Sequence, residues 1–276
     1  MKFKPIPWLA PGEAFPPVEQ AWGRDDPAPG LLAAGGSLGV ASLCNAYRHA
    51  IFPWYSEGQP LLWWSTDPRM VLAPTRFRLH RSLARTLQKF RANPAAELRF
   101  DTAFDQVIRA CASSPRESAR HLADTAASEG GDKAKAESAS GTWIVPEMID
   151  AYTNLHRAGH AHSVETWVDG ELVGGLYCVA IGQAVFGESM FSRKSDASKI
   201  ALAGLVAFCR AQGVGLIDCQ QNTKHLASLG ASEISRQLFA AHVSRVSDLP
   251  ALRWQFENVY WAQLVPNAPG AQGRST

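Results

Sequence analysis

The chain has 276 residues, with 27 lysines and arginines against 25 aspartates and glutamates, so its formal net charge is +2. Apolar residues make up 46% of the sequence and charged residues 19%, which is ample material for a packed core and predicts a globular protein. A charge this close to neutral excludes a strongly basic nucleic-acid coat and an acidic solvating chain, although it leaves room for a local basic patch.

Neither the N-terminus nor the cysteines indicate export. Residues 1–7 are interrupted by Pro5 and Pro7 before an apolar stretch of signal-peptide length can form. The longest apolar run, residues 200–209, is about half as long as a membrane span. The five cysteines are scattered and contain no C-x-x-C pair, which argues against a disulfide framework and against a zinc site. We therefore expect a cytoplasmic protein that does not contact a membrane.

The first 69 residues are rich in proline, glycine and tryptophan, and they contain one helical pattern at residues 41–50. We predict that residues 1–69 form a small N-terminal domain. The sequence then becomes strongly cationic, because residues 69–91 contain seven basic residues and no acidic one.

A cationic stripe is predicted on a helix in this basic segment. Arg81, Arg85 and Lys89 recur at every fourth residue and therefore share one helical face. A different face carries three leucines and makes the helix amphipathic: Leu79, Leu83 and Leu87. Such a stripe is either a solvated surface or a phosphate-binding surface, and the complete lack of acidic residues favours phosphate binding.

The rest of the sequence predicts a larger domain over residues 70–266. Residues 117–140 lack aromatic residues, valine and isoleucine, so we expect a disordered insertion there. Residues 267–276 are predicted to form a flexible tail. The turns Asp169-Gly170 and Gly182-Gln183 are typical of hairpins, and they join three predicted strands at residues 161–168, 172–180 and 184–191.

Helices and one buried strand surround this predicted meander. The patterns predict helices at residues 146–157, 195–211 and 223–229, and a buried strand at residues 214–219. The fold class is therefore α+β, with a mainly antiparallel sheet. The order of elements matches the GNAT-type acyltransferase fold, so we expect a GNAT-like domain behind the small N-terminal one.

Three polar residues at predicted strand positions are candidates for chemistry. Asp218 and Gln220 follow the apolar strand residues 214–217 and lie two positions apart, as either a reactive pair or a polar turn. Glu188 shares a face with Phe186 and Met190 if the strand alternates regularly. It is then either a carboxylate at the edge of an apolar cavity or a strand-end carboxylate in solvent.

Two further patterns argue against a metal and against coenzyme A. His156 and His160 are spaced like metal ligands on a helix, but Gly159 should end the helix, and we expect no metal at these residues or at His162. The GNAT-type fold normally carries a glycine-rich pyrophosphate loop before the helix at 195–211, whereas residues 193–198 contain no glycine. A donor other than acyl-CoA is therefore favoured.

Taken in order, several blocks of residues resemble the leucyl/phenylalanyl-tRNA–protein transferase family. The blocks are Asn45-Ala46-Tyr47-Arg48, Ile51-Phe52-Pro53-Trp54-Tyr55, Trp63-Trp64-Ser65-Thr66-Asp67-Pro68-Arg69, Gly141-Thr142-Trp143-Ile144, Gly159-His160-Ala161-His162-Ser163-Val164-Glu165, Leu172-Val173-Gly174-Gly175-Leu176-Tyr177, Phe186-Gly187-Glu188-Ser189-Met190-Phe191-Ser192, Leu216-Ile217-Asp218-Cys219-Gln220 and Ala227-Ser228-Leu229-Gly230-Ala231. They span roughly residues 29–245.

The resemblance implies a monomeric aminoacyltransferase without metal, coenzyme A or other cofactor. It would move leucine or phenylalanine, and also methionine, from aminoacyl-tRNA to proteins that begin with arginine or lysine, which marks them for degradation. Asp218 and Gln220 match the family's catalytic pair, and Arg81, Arg85 and Lys89 match its tRNA-facing helix. Other residues match positions around the aminoacyl-adenosine: Glu188, Trp54, Trp143, Leu176, Met190, Leu202 and Ile217.

Three positions depart from the family pattern, since Val185, Leu205 and Cys209 stand where better-known members carry larger aromatic residues. The preference between leucine and phenylalanine therefore stays open. Two other functions remain as alternatives, namely a GNAT-type acyltransferase that uses acyl-CoA and a tRNA-binding protein without enzymatic activity.

The expected mechanism needs little chemistry from the protein, because an aminoacyl-tRNA ester is already activated. The enzyme must hold the acceptor amine against the ester carbonyl and manage one proton. We expect Asp218, acting with Gln220, to accept or polarise the amine proton, and Glu188 to orient the amine or the aminoacyl group. An apolar pocket should prefer side chains that are unbranched at Cβ.

Overall fold

The computed structural model describes residues 5–114 and 144–264. The N-terminal part contains a four-stranded sheet with the strand order β1-β2-β4-β3 and one helix. Its elements are β1 (Trp8–Leu9), β2 (Leu31–Gly35), α1 (Val40–Arg48), β3 (Phe52–Pro53) and β4 (Leu62–Trp64). The predicted helix at residues 41–50 is α1.

The larger part is built on a seven-stranded sheet with the order β11-β5-β10-β9-β8-β7-β6. Its strands are β5 (Arg69–Leu72), β6 (Ala96–Phe100), β7 (Ala161–Val168), β8 (Glu171–Ile181), β9 (Ala184–Ser192), β10 (Ile217–Gln220) and β11 (Ser232–Ile234). Its helices are α2 (Arg81–Ala92), α3 (Phe104–Ser113), α4 (Pro146–Arg157), α5 (Ala197–Ala211), α6 (Lys224–Ser228) and α7 (Arg236–Val246).

The α+β class with a mainly antiparallel sheet is confirmed. Strands β7, β8 and β9 form the predicted meander, and β10 pairs with β9 in parallel. Strand β5 was not predicted; it lies between β10 and β11 and is antiparallel to both. The specific likeness to a GNAT domain and the domain boundary at residue 69 stay predictions.

Two hydrophobic clusters cover the two faces of the large sheet. One joins the N-terminal part to α3 and α4 and includes Tyr47, Trp63 and Tyr152. The other joins α2 and α5 and includes Leu87 and Phe208. Because the first cluster contains residues from both parts of the chain, the N-terminal part packs directly against the large sheet and can contribute side chains to a site there.

Some sequence-based expectations concern residues outside the described ranges. The predicted insertion at 117–140, the predicted tail at 267–276 and Trp143 are among them. Within the described ranges, no helix has both the length and the apolar character needed to cross a membrane.

Candidate active site

An opening between β9 and β10 is the centre of the candidate site. The two strands pair in parallel at only two positions, Val185 with Ile217 and Phe186 with Asp218. Strand β9 continues to Ser192 and stays paired with β8 over this length. In the described ranges, no strand pairs with the edge of β9 beyond Phe186, so the two strands separate there, and we refer to this point as the opening.

Glu188 is the extra residue of a β-bulge at this opening. The ladder between β8 and β9 shifts register there, because Tyr177 pairs with Ser189 whereas Cys178 pairs with Gly187. Such a bulge places two residues of one strand opposite one residue of its partner. The predicted shared face therefore holds for Phe186 and Glu188, which both contact Tyr47, and it fails at Met190, which packs on the opposite sheet face.

The Glu188 carboxylate is surrounded by neutral hydrogen-bond donors from three elements. The Tyr47 hydroxyl of α1 donates to Oε1 at 2.7 Å, the Tyr152 hydroxyl of α4 donates to Oε2 at 3.3 Å, and the Gln220 Nε2 donates to Oε1 at 3.2 Å. The two tyrosine hydroxyls are 2.5 Å apart. All three donors are neutral side chains, so no cation in this cluster compensates the charge of the carboxylate.

Burial raises the pKa of Glu188 to about 8, although hydrogen bonds from Tyr47, Gln220 and Tyr152 act in the opposite direction. The nearby Asp218 charge raises this pKa further. The pKa values of the Tyr47 and Tyr152 hydroxyls are raised well above their usual value, mainly by burial and next by the charge of Glu188. A carboxyl group that titrates near neutrality at an opening is a candidate for proton transfer.

Asp218 forms a buried ion pair with Arg69. Arg69 Nε donates to Asp218 Oδ1 at 2.8 Å and Nη2 donates to Oδ2 at 2.6 Å, in the two-pronged geometry that fits a guanidinium to a carboxylate. Both residues are about 1% exposed. The guanidinium carbon lies 4.6 Å from the ring centre of Phe52 and 4.7 Å from that of Phe239. Both rings are therefore within cation–π distance of the guanidinium.

Gln220 connects this ion pair to Glu188. Its backbone N–H donates to Asp218 Oδ1 at 2.9 Å, and its φ of 59° lies in the left-handed region. The ladder between β10 and β5 also shifts register between Asp218 and Gln220. Non-glycine residues with such backbones are often found at functional sites, where surrounding contacts hold them. Asp218 therefore fixes the backbone that aims the Gln220 side chain at Glu188.

The geometry changes the expected role of Asp218. Both carboxylate oxygens are occupied by Arg69, one of them also accepts from Gln220, and the residue is buried. The carboxylate therefore has no exposed oxygen that could meet a substrate. The predicted direct acceptance of a proton by Asp218 does not fit this arrangement, whereas a positioning role does.

The four predicted aliphatic residues pack in one cluster: Leu176, Met190, Leu202 and Ile217. Leu176 and Met190 are cross-strand partners, and Met190 is the only one of the four that is partly exposed. The cluster lies against α5, on the sheet face opposite the tyrosines that contact Glu188. Val185, Leu205 and Cys209 are buried in the same cluster.

The remaining predicted residues lie apart from this cluster. Trp54 is half-buried in the N-terminal part, with its ring centre 5.3 Å from that of Trp64. Arg81, Arg85 and Lys89 are exposed along α2, and in residues 5–114 and 144–264 they form no ion pair. The opposite face of α2 is buried through Leu83, Leu87 and Phe90, as predicted for the two leucines, whereas Leu79 precedes the helix.

The histidines have other partners. His162 Nδ1 lies 2.8 Å from Asp101 Oδ2, and His156 Nδ1 lies 2.8 Å from the Ala161 carbonyl oxygen. No cluster of three potential metal-ligating residues occurs in the part of the chain that the structure describes.

Three residues of the candidate site had no assigned role in the sequence analysis: Arg69, Tyr47 and Tyr152. Arg69 and Tyr47 lie in blocks that carry the family resemblance, and that was their only signal in the sequence. Arg69 is 149 positions from Asp218, and Tyr47 is 141 positions from Glu188. Such contacts depend on how strands order in the sheet, which local periodicity does not encode.

The raised pKa of Glu188 predicts a pH-dependent stability. Between about pH 4.5, the usual pKa, and about pH 8, the unfolded chain has lost this proton and the folded chain keeps it, so the free energy of unfolding should fall as pH rises. Glu188→Gln removes this titration and should gain stability relative to the wild type across this window, by about 3 kcal/mol at pH 7. Urea unfolding from pH 5 to 8 measures the difference.

Glu171→Gln, at an exposed position in β8, is the matched control and should leave the shape of the pH curve unchanged. Parallel stability curves for the wild type and Glu188→Gln would contradict the assignment.

Three features meet at the opening: the Glu188 carboxyl group with its raised pKa, the Gln220 carboxamide that contacts it, and the buried ion pair that holds the Gln220 backbone. Together they are typical of an active site that aligns reactants and moves a proton. These residues define the chain as an α+β enzyme candidate. Outside this set of residues, the exposed cations of α2 form a separate charged surface.

Comparison with known sequences identifies the family. A family profile described as leucyl/phenylalanyl-tRNA protein transferase matches residues 124–244, and one described as the N-terminal domain of that transferase matches residues 36–67. A Polaromonas protein named leucyl/phenylalanyl-tRNA–protein transferase is 57% identical, with 95% of each chain covered. Its namesake from Leptothrix cholodnii is 56% identical, with 96% of this chain and 97% of its own covered. The chain therefore belongs to the leucyl/phenylalanyl-tRNA–protein transferase family, and it is a transferase.

A crystal structure of a conserved protein of unknown function from Bacteroides thetaiotaomicron covers 69% of this chain and 84% of its own. The sequence identity is 11% and the TM-score 0.35, which is too low to support a conclusion.

Proposed function

We propose that this enzyme transfers leucine or phenylalanine, and also methionine, from aminoacyl-tRNA to the N-terminal α-amine of proteins that begin with arginine or lysine. The product would be marked for degradation, and the enzyme would act as a cytoplasmic monomer without a cofactor. The names of the relatives support the donor and the class of acceptor. The single observation that carries the proposal is the series of contacts from Arg69 through Asp218 and Gln220 to Glu188 at the strand opening.

The reaction needs alignment and one proton transfer. The amine nitrogen attacks the ester carbonyl, the bond to the ribose oxygen breaks, and a proton passes overall from the amine to that oxygen. An N-terminal α-amine has a pKa of roughly 8, and Glu188 has a pKa of about 8, so the two groups exchange a proton with little difference in free energy.

In this mechanism Gln220 contacts the amine, and Glu188 receives or orients its proton. Asp218 and Arg69 are positioning residues that hold the Gln220 backbone. Tyr47 and Tyr152 hold the Glu188 carboxylate and shield it from water. The enzyme forms no covalent intermediate, because the ester is already activated and requires no additional nucleophile.

The aliphatic cluster is proposed to receive the side chain of the donor amino acid. Leu176, Met190, Leu202 and Ile217 provide an apolar lining, with Trp54 and Trp143 proposed to contact the terminal adenosine. Because one methyl group in such a pocket changes binding by about 1–3 kcal/mol, the preference for leucine, phenylalanine and methionine over valine and isoleucine should be graded.

The stripe on α2 is proposed to bind tRNA phosphates. The double replacement Arg81→Ala with Arg85→Ala should weaken tRNA binding. The double variant would make fewer phosphate contacts than the wild type, so its binding would release fewer counterions from the RNA. Two contacts to duplex RNA would change the slope of log Kd against log salt concentration by roughly 2. Filter binding over a range of salt concentrations measures this slope, and a double variant with the wild-type slope would contradict the assignment.

Donor and acceptor competition tests the proposed specificity. Purified enzyme is supplied with labelled Leu-tRNA, Phe-tRNA, Met-tRNA or Val-tRNA and with peptides that differ only in a first residue of arginine, lysine or glutamate. We expect transfer from the first three donors to the first two acceptors, and much slower transfer from Val-tRNA. Equal use of all donors, or transfer to the glutamate peptide, would contradict the proposed selectivity.

A further inference from the structure

Two segments without any acidic residue contact each other on the surface. Residues 69–96 contain no aspartate or glutamate, and neither do residues 219–232, which begin at the end of β10. The backbone N–H of Arg78 donates to the Leu229 carbonyl at 2.8 Å, and the His80 ring nitrogen lies 2.9 Å from the Ser228 carbonyl oxygen. The segment that carries α6 is therefore hydrogen-bonded to the segment that leads into α2.

The packing at Gly230 makes this contact close. A Cβ atom there would lie 2.3 Å from the Arg76 carbonyl oxygen, and the φ of Gly230 is 100°, so both the space and the backbone conformation require glycine. The two acid-free segments consequently form one continuous surface from Gln220, through α6, to the far end of α2. We refer to this surface as the basic strip.

The basic strip presents exposed cations along its length. They are Arg76, Arg78, Arg81, Arg85, Lys89, Arg91 and Lys224. Among the described residues, none of these side chains is in an ion pair. Two carboxylates that border the strip accept hydrogen bonds from its neutral side chains and pair with none of its cations: Glu233 accepts from Asn222 at 2.9 Å, and Asp196 accepts from Thr86 at 3.4 Å and binds Lys199 at 2.8 Å.

The cations are distributed unevenly along the strip. Six lie in residues 76–91, whereas Lys224 is the single lysine or arginine of the segment 219–232, four positions from Gln220. Duplex RNA has a higher density of phosphate charge than a single strand and releases more counterions per contact. The six cations on α2 and in the segment that leads into it therefore suit a duplex, and the sparse charge of α6 suits a single strand.

We infer that the single-stranded 3′ end of the donor RNA crosses α6 beside Lys224, while the duplex stem lies on α2. This inference rests on the proposed function, because the ester at the 3′ end must reach Gln220 and Glu188 for transfer. It adds a second RNA contact region that neither the stripe on α2 nor the candidate active site includes. Lys224 contacts a phosphate of the single strand, and the exposed polar side chains before it leave space for the terminal nucleotides.

Salt-dependent binding of the tRNA tests this inference. Lys224→Ala should weaken binding at low salt and reduce the slope of log Kd against log salt concentration by about 0.7, the contribution of one contact to a single strand. Arg109→Ala is the matched control, because Arg109 is exposed on α3, outside the strip, and its replacement removes the same charge. The control should have the wild-type slope.

A second RNA probe locates the contact. The same measurement is made with a stem that lacks its single-stranded 3′ end, and the difference between Lys224→Ala and the wild type should disappear while the Arg81 and Arg85 double variant still binds weakly. A wild-type slope for Lys224→Ala on intact tRNA, together with a reduced slope for the double variant, overturns this inference and leaves the proposed function standing. Absence of salt-dependent tRNA binding by the wild type overturns both.

Discussion

Replacing both members of the buried ion pair, Arg69→Met together with Asp218→Leu, is expected to restore most of the stability that either single replacement removes, while transfer stays slow. Removing one partner leaves an uncompensated buried charge and should cost about 3–5 kcal/mol of unfolding free energy. Two apolar side chains of similar size need no such compensation. Urea unfolding and steady-state transfer kinetics measure the two effects separately.

The double variant should still transfer at a rate about 100-fold below the wild type. It lacks the carboxylate that binds the Gln220 backbone, and a displacement of about 1 Å at a reacting group can cost this much. The exposed ion pair between Arg48 and Asp248 supplies the control, since Asp248→Asn should change stability by less than about 1 kcal/mol. A double variant that regains both stability and wild-type kcat would show that the pair serves stability alone.

Gln220→Gly is expected to keep or raise stability and to lower kcat by about 100-fold or more. Glycine adopts the left-handed φ of 59° without strain, so the substitution relieves the backbone while it removes the carboxamide that contacts Glu188. A fall in kcat after most active-site replacements could also result from loss of folding. Because Gln220→Gly should keep its stability, a fall in its kcat would instead report the loss of the carboxamide. Transfer kinetics at saturating tRNA and thermal unfolding are the two measurements.

Gln220→Asn provides the graded comparison. Asparagine also tolerates the left-handed region and keeps a shorter carboxamide, so its kcat should lie between those of the wild type and Gln220→Gly. Wild-type kcat in Gln220→Gly, with unchanged tRNA binding, would remove the Gln220 side chain from the mechanism.

Local signals in the sequence predicted the elements that depend on local contacts. The Asp169-Gly170 turn and the alternation on either side predicted the β7–β8 hairpin, and the spacing of Leu83 and Leu87 predicted the buried face of α2. These patterns are set by residues a few positions apart, so the sequence displays them directly.

The candidate site depended on features that no local pattern displays. Strand β5 lies beside β10 and brings Arg69 to Asp218 across 149 positions, and its four residues carry no distinctive signal. The bulge at Glu188 reverses the faces of the following residues and moves Met190 away from the side that strict alternation predicts. The predicted strand positions made Asp218, Gln220 and Glu188 candidates and the family resemblance favoured them, but only the sheet order and the bulge show how they are connected.

Transfer of labelled leucine from Leu-tRNA to a peptide that begins with arginine tests the central claim most directly. With the purified wild-type chain, we expect the label to appear on the N-terminal α-amine of the peptide, in multiple turnovers and without added metal or coenzyme A. The same assay with folded, tRNA-binding Gln220→Gly should give little product. A wild-type chain that binds Leu-tRNA and leaves the peptide unlabelled would contradict the account.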